Sequence, residues 1–234
     1  MAGLSRRFAE AGYALPKYML PLGADVCFDL AVAGFVEPYG DETFLFVVRD
    51  VSGTPAFVEE RCRALGVRRF QIVVLDRTTS GQGETVELGL ADVGPEDGEL
   101  AIFNIDTFRR NVRRPTRAER GDGWLEVVHA SGDNWSFVLP GADGRVARTT
   151  EKERISGLCC TGFYGFRNAA DFREAMRMER VQATCALPET YIAPIYNHLV
   201  TSGRDIRYHV VPPADVSFCG VPSEYEALRA TQPI

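Results

Sequence analysis

Residues 44–75 read FLFVVRDVSGTPAFVEERCRALGVRRFQIVVL, and the alternation inside this stretch decides the fold class. "FLFVV" (44–48) and "FQIVVL" (70–75) are short apolar runs without polar alternation, the pattern of strands covered on both faces. Between them "TPAFVEERCRALG" predicts a helix, with Thr54 as N-cap and Pro55 at the first helical position. Phe57, Cys62 and Leu65 fall on roughly one face, and Gly66 ends it. Strand, helix and strand make one βαβ unit. Working outward, "GQGETVELGLADV" (81–93) predicts a second helix and "LAIFNIDTF" (100–108) a further doubly buried strand ending in Asp106. This alternation predicts an α/β protein with a mainly parallel sheet and right-handed crossovers.

After Gly121 the pattern changes. "WLEVVHA", "NWSFVLP" and "GRVARTT", separated by "SGD" and "GADG" turns, read as antiparallel hairpins, expected to form an insertion covering the functional edge of the sheet. The strand "GLCCTGFYGF" (157–166) follows, then helices over about 170–179 and 193–201, the strand "IRYHVVP" (206–212) and a short helix after Pro222. A doubly wound sheet has a strand before its first glycine turn, whereas this sequence begins at that turn. Either the start is placed late or another segment fills the strand's position.

Composition narrows the function. The 234 residues are 45% hydrophobic and 25% charged, ordinary for a globular chain and enough for one large domain, the preferred reading, or for two. A net charge of -6 argues against bulk affinity for nucleic acid or anionic membrane, so any phosphate chemistry must use local clusters of cations. No apolar leader core follows the N-terminal arginines, and no run approaches the roughly 18 apolar residues of a spanning helix, which predicts a cytoplasmic protein that is not exported. Cys27, Cys62, Cys159, Cys160, Cys185 and Cys219 show no paired metal spacing and mostly lie in apolar runs, as reduced, buried thiols do.

The opening, MAGLSRRFAEAGYALPKYMLPLG (1–23), combines a small-residue turn with Arg7 and a Pro16–Lys17 pair. Backbone N–H groups of the turn at Gly3, Leu4 and Ser5, a forked cation and a point charge could together hold a triphosphate, although a solvated loop has the same composition. "FNIDT" puts Asp106 where α/β sheets place ligands, and a hard carboxylate there suits Mg²⁺; a helix-capping aspartate is the alternative. "FRRNVRRPTRAER" (108–120) carries six arginines that could collect an anionic substrate or contact nucleic acid; without aromatic interleaving it reads as a solvated helix and loop, with Arg109 or Arg110 near substrate. His129, His198 and His209 share no short metal spacing and read as structural.

Taken in order, these segments resemble the sugar-phosphate nucleotidyltransferase family. Gly3, Arg7, Phe8, Pro16, Lys17, Leu20 and Pro21 match its nucleotide signature, with Ser5 at the second turn glycine and Arg6 at its Ser or Thr. "TTSGQGETVELGL" resembles the segment that reads the base, with Gln82 as the reader; the same residues could simply cap and begin a helix. "NWSFVLPGADGRVARTTEKERIS" followed by "GLCCTGFYGF" is the most specific match. It implies that Glu151 binds acceptor hydroxyls and Lys152 the acceptor phosphate, with Thr161 and Gly162 lining the pocket; seen alone, "EKER" reads equally as a charged turn. Pro194, Tyr196, Asn197 and Gly203 match a later helix, as pocket wall or packing. In "SFCGVPSEY", Phe218 stands where many members carry a second metal carboxylate.

The resemblance implies a Rossmann-like three-layer α/β/α fold in one domain, with a nucleotide half over about 1–120 and an acceptor half over 121–234. It also implies transfer of a nucleoside monophosphate from an NTP to a small phosphorylated acceptor, with Mg²⁺ on Asp106 and release of pyrophosphate. It is nearest to bacterial enzymes of capsule and surface-polysaccharide gene clusters. No nucleic acid or membrane partner is expected, and a homodimer is one open assembly. The rivals are a nucleotide-sugar-dependent glycosyltransferase, which has no need of the N-terminal Arg and Pro-Lys, and a degenerate nucleotide-binding regulatory protein.

Overall fold

The computed structural model of the chain describes residues 1–3, 5–91, 98–182 and 189–231. Its first elements are α1 (Arg6–Glu10), a 3₁₀ turn (Lys17–Met19), β1 (Pro21–Leu22), β2 (Asp25–Val26), α2 (Cys27–Val36), β3 (Phe44–Arg49), α3 (Thr54–Ala64), β4 (Phe70–Leu75) and α4 (Gln82–Ala91). Then come β5 (Leu100–Phe103), β6 (Thr107–Arg109), α5 (Arg117–Arg120), β7 (Gly123–His129), β8 (Ser136–Pro140), β9 (Val146–Glu151) and β10 (Leu158–Phe166). The last are α6 (Ala169–Gln182), α7 (Ile192–Thr201), β11 (Ile206–Val210), β12 (Val216–Phe218) and α8 (Pro222–Thr231). They gather into two compact units woven from separate stretches: Met1–Thr79, Asn104–Arg114 and Ala214–Ile234 in the first, Ser80–Phe103 and Pro115–Pro213 in the second.

In the first unit the βαβ motif forms as its sequence predicts. β3 and β4 pair in parallel from Phe44↔Phe70 to Arg49↔Leu75, with α3 as the crossover. Gly53, at φ 70°, is the N-cap, one residue before the expected Thr54. Thr54 is buried instead, and its hydroxyl meets the Tyr18 hydroxyl at 2.8 Å. The helix turns Val58 and Cys62 inward, and Gly66 ends it at φ 73°. β3 is largely covered, but β4 is not doubly buried: none of its residues is fully buried, and Val74 is 50% exposed.

α2, apolar on all sides, is the buried helix of this unit. Its one buried carboxylate, Asp29, accepts the Val26 N–H at 3.1 Å and both arms of Arg61, at 2.8 and 2.5 Å, which fastens α2 to α3. Gly34 lets α2 approach β6, since a Cβ there would lie 2.2 Å from the Arg109 carbonyl oxygen. β6 pairs antiparallel with β12, and Arg109 is buried, donating to the carbonyl oxygens of Asp215 and Arg110. Phe8, Leu20, Leu22, Cys27, Ala31, Phe108, Cys219 and Tyr225 make one core cluster beneath the N-terminal loop.

The second unit is built on a sheet ordered β11-β7-β10-β8-β9, with β5 also paired to β10. All nine residues of β10 are buried. The β7–β11 ladder is parallel, while β10 runs antiparallel to β5, β7 and β8, and β8 to β9. The α/β class and mixed pairing therefore hold with a smaller parallel share than the alternation predicts: among the described residues only β3–β4 and β7–β11 are parallel. The antiparallel stretch read as an insertion supplies β7, an interior strand of this sheet. α7 is fastened to β9 by Asn197, whose amide bonds both backbone groups of Thr149, at 2.8 and 2.9 Å. The buried Tyr196 stacks on Phe166 and donates its hydroxyl to the Gly165 carbonyl at 2.8 Å, so this pair of motif residues serves packing.

Candidate functional site

The N-terminal loop rests on its aromatic underside. Phe8 points from α1 into the core against Tyr13 and Tyr225, leaving Arg6 and Arg7 exposed. Gly3 is exposed, with nothing within 4 Å of the place a Cβ would take. Ser5 adopts φ 47°, ψ 34°, the left-handed conformation that glycine favours, so serine holds the backbone shape of the expected turn under strain. Leu4 lies outside the described residues.

Pro16, at φ -54° and ψ 142°, delivers Lys17 into the 3₁₀ turn. There the Lys17 ammonium donates to Oδ2 of Asp106 at 2.6 Å, uniting two of the expected catalytic residues. Their side chains are 19% and 29% exposed, so the pair is partly sheltered and still open to solvent. Burial alone would raise the Asp106 pKa, but the charge and hydrogen bond of Lys17 outweigh it and hold the carboxyl below its usual value. Asp106 does not end a buried strand. β5 stops at Phe103, and Asp106 immediately precedes β6, anchored by its carbonyl oxygen, which accepts the Cys219 N–H at 2.8 Å.

Phe218 is half-buried in β12, and the acid on the neighbouring turn is Glu224. Its Oε2 accepts the N–H groups of Gly220 and Val221, at 2.7 and 3.2 Å, at the start of α8. A Cβ at Gly220 would lie 3.5 Å from Asp106 Oδ2 and 3.6 Å from Glu224 Oε2, so both carboxylates border the same glycine. Among the described residues no group of three His, Cys, Asp or Glu side chains forms a metal cage. One accessible carboxylate nevertheless fits Mg²⁺, which habitually binds through one or two carboxylates, waters and substrate phosphates.

The acceptor residues expected from the sequence lie in the second unit. Glu151 ends β9, and its carboxylate accepts the Ser136 hydroxyl; burial pushes its pKa up, moderated by Ser136 and Lys152. Lys152 follows at φ 56°, its N–H on the Trp135 carbonyl at 2.9 Å. Its ammonium reaches the Tyr191 hydroxyl at 2.7 Å, and that hydroxyl donates to Glu189 at 2.6 Å. The hydrogen bond to Tyr191 raises the Lys152 pKa. Thr161 is buried, with its hydroxyl on the Glu126 carboxylate at 2.8 Å. Gly162, at φ 90°, lies with it in a bulge where residues 161–163 of β10 stand against Glu126 alone in β7.

Gln82 opens α4 and is half-buried. Its flanking glycines are held by Thr190, which bonds the Ser80 carbonyl and the Gly83 N–H, each at 2.9 Å; a Cβ at Gly81 would lie 2.5 Å from the Thr190 nitrogen. The six-arginine stretch is partly structural: Arg109 is buried, while Arg114 pairs with Glu42 and Arg120 with Glu99.

Sequence reasoning missed Glu224, Glu126, Tyr191 and Glu189. A compositional signal was available for the lysines: of 26 lysines and arginines only two are lysines, Lys17 and Lys152. A compact ammonium and a planar guanidinium do not substitute for one another where geometry matters. A chain that uses arginine everywhere else marks these two positions.

No family model and no curated protein sequence matches the chain. Among solved structures, the nucleoside-diphosphate-sugar pyrophosphorylase from Vibrio cholerae RC9 is 43% identical over 98% of each chain, with a TM-score of 0.93. The inositol-1-phosphate CTP transferase from T. maritima matches 100% of this chain and 94% of its own at 15% identity and a TM-score of 0.73. The CTP:phosphocholine cytidylyltransferase from Streptococcus pneumoniae matches 99% and 96% at 13% identity and a TM-score of 0.70. The last two share the fold. With 43% identity along nearly the whole chain to the Vibrio protein, and with the lysine of the N-terminal signature in contact with Asp106, the chain belongs to the sugar-phosphate nucleotidyltransferase family.

Proposed function

We propose that the protein transfers a nucleoside monophosphate from an NTP to a sugar phosphate or similar small phosphorylated acceptor, releasing pyrophosphate. The observation that supports this most is the Lys17–Asp106 contact, found in a chain 43% identical to a nucleoside-diphosphate-sugar pyrophosphorylase. In this reading Gly3, Leu4, Ser5 and Gln82 bind the nucleotide. Arg7 and Lys17 neutralise its phosphates and the departing pyrophosphate. Glu151 and Lys152 orient the acceptor beside Thr161 and Gly162.

An oxygen of the acceptor phosphate forms a bond to the α-phosphorus as the bond to the β-phosphate oxygen breaks. That oxygen is already ionised near pH 7, so positioning and electrostatic stabilisation carry the step. Asp106 is the residue to hold Mg²⁺, which when bound offsets phosphate charge. A single functional domain, a place in capsule or surface-polysaccharide synthesis, a cytoplasmic site of action and a homodimer belong to the same proposal.

The test is a pyrophosphate-release assay over the four NTPs and a panel of sugar phosphates and other small phosphorylated acceptors, with Mg²⁺. Release that requires one NTP and one acceptor together is expected. Hydrolysis of a nucleotide sugar, or nucleotide binding with no turnover across the panel, would overturn the proposal.

A further inference from the structure

Lys152 is held by more than its place after β9. At φ 56° its backbone is in the left-handed region, which a lysine seldom adopts, and strain of this kind persists where the surroundings over-determine it. Two bonds in series then take its head: ammonium to the Tyr191 hydroxyl at 2.7 Å, and that hydroxyl to the Glu189 carboxylate at 2.6 Å. The same ammonium lies 4.9 Å from the centre of the Tyr191 ring. The Trp135 carbonyl holds the backbone, but the side-chain contacts are solvent-facing, where polar pairs add little to stability, so fold stability does not account for the tethered head.

A tether is useful for binding. An ammonium has three donors, and one spent on Tyr191 leaves two for phosphate oxygens. Holding a long, flexible side chain in place beforehand removes ordering cost that a ligand would otherwise meet. We propose that Tyr191, oriented by Glu189, is a positioning residue that holds the Lys152 ammonium ready for the phosphate of the acceptor. This rests on the reading of Lys152 as the acceptor-phosphate contact. Glu189 fixes the direction of the hydroxyl, so that its oxygen lone pairs face the lysine.

The two lysines of the chain make the test direct. Full-length protein carrying [13Cε]lysine gives two side-chain signals in a carbon–proton correlation spectrum, assigned with Lys152→Arg, and inorganic phosphate is titrated as the probe. The Lys152 signal is expected to shift saturably, and Tyr191→Phe to weaken the apparent phosphate affinity about tenfold, the scale of one charge-assisted hydrogen bond. The same variant should lower the titration midpoint of Lys152, which reports that the tether has been removed, while the phosphate affinity reports whether the tether serves binding. With the acceptor found in the turnover panel, Tyr191→Phe should raise the acceptor KM by a similar factor and leave the NTP KM unchanged.

Glu189→Gln, which keeps the local shape, should weaken phosphate binding in the same direction and serves if Tyr191→Phe folds poorly. Unchanged phosphate affinity in these variants overturns the positioning role, whatever the midpoint does and even if Lys152 responds to phosphate. A Lys152 signal indifferent to phosphate overturns the reading of Lys152 itself, and the positioning role with it.

Discussion

Replacing Lys17 by methionine keeps most of the side-chain volume and removes the charge that faces Asp106 at 2.6 Å. Fully exposed pairs are worth about 0–1 kcal/mol, whereas breaking a buried one costs about 3–5 kcal/mol. With the two side chains 19% and 29% exposed, the pair falls between these limits, which sets the expected loss at about 1–2 kcal/mol at pH 7. The sign of the pH dependence follows from Asp106, whose pKa Lys17 and its hydrogen bond hold down against burial. A carboxylate depressed in the folded state contributes stability above its unfolded value of about 3.9, and that contribution is lost as pH falls through the folded value. Urea unfolding of wild type and Lys17→Met should therefore differ in midpoint at pH 7, with equal m-values, and converge in acid below the folded pKa. Turnover should fall by about 10²–10³, the scale for removing one preorganised stabiliser of developing charge. An equal stability loss at both pH values would refute the ion-pair argument, and wild-type turnover would remove Lys17 from the mechanism.

Other perturbations test the surrounding framework. Ser5→Gly should relieve the strain at φ 47°, offset in part by glycine's larger unfolded-state entropy, for a net gain of up to about 1 kcal/mol in thermal or chemical unfolding; a clear loss would show that the serine side chain holds the turn. Arg61→Ala strands the buried Asp29 carboxylate and should cost about 3 kcal/mol, while a double Asp29→Asn, Arg61→Ala variant should recover part of that in the same unfolding assay. Gly34→Ala puts a methyl group 2.2 Å from the Arg109 carbonyl oxygen and should cost about 1–3 kcal/mol through a displaced α2; an unchanged melting temperature would contradict the close approach of α2 and β6.

Local signals carried most of what the sequence revealed about the fold. The βαβ unit was legible because Thr54, Pro55 and Gly66 punctuate a helix between two apolar runs, all within one short stretch. The helices α6, α7 and α8 and the strand β10 were legible for the same reason. α2 was not, because "CFDLAVAGFV" is apolar all round and presents no amphipathic stripe to read. The partners of β10 and the parallel union of β7 with β11 were also out of reach, since such pairings join residues distant in sequence and leave no local mark. At the candidate site, Lys17 and Asp106 were found through the order of motifs, and their contact is the structure's own contribution. Glu224, Tyr191 and Glu189 became visible only through the atoms they touch. The arginine-to-lysine imbalance could have directed attention to Lys152 from composition alone.

The ring of Tyr225 packs in the same cluster as Phe8, and its hydroxyl reaches the Pro21 carbonyl at 2.7 Å. The loop that carries Lys17 is thus completed by a side chain made more than two hundred codons later. On the ribosome, the N-terminal segment must wait for about two hundred further residues before this support arrives. A nascent chain stalled ahead of α8 would leave Phe8 and Leu22 without the Tyr225 side of their cluster, exposed to chaperones.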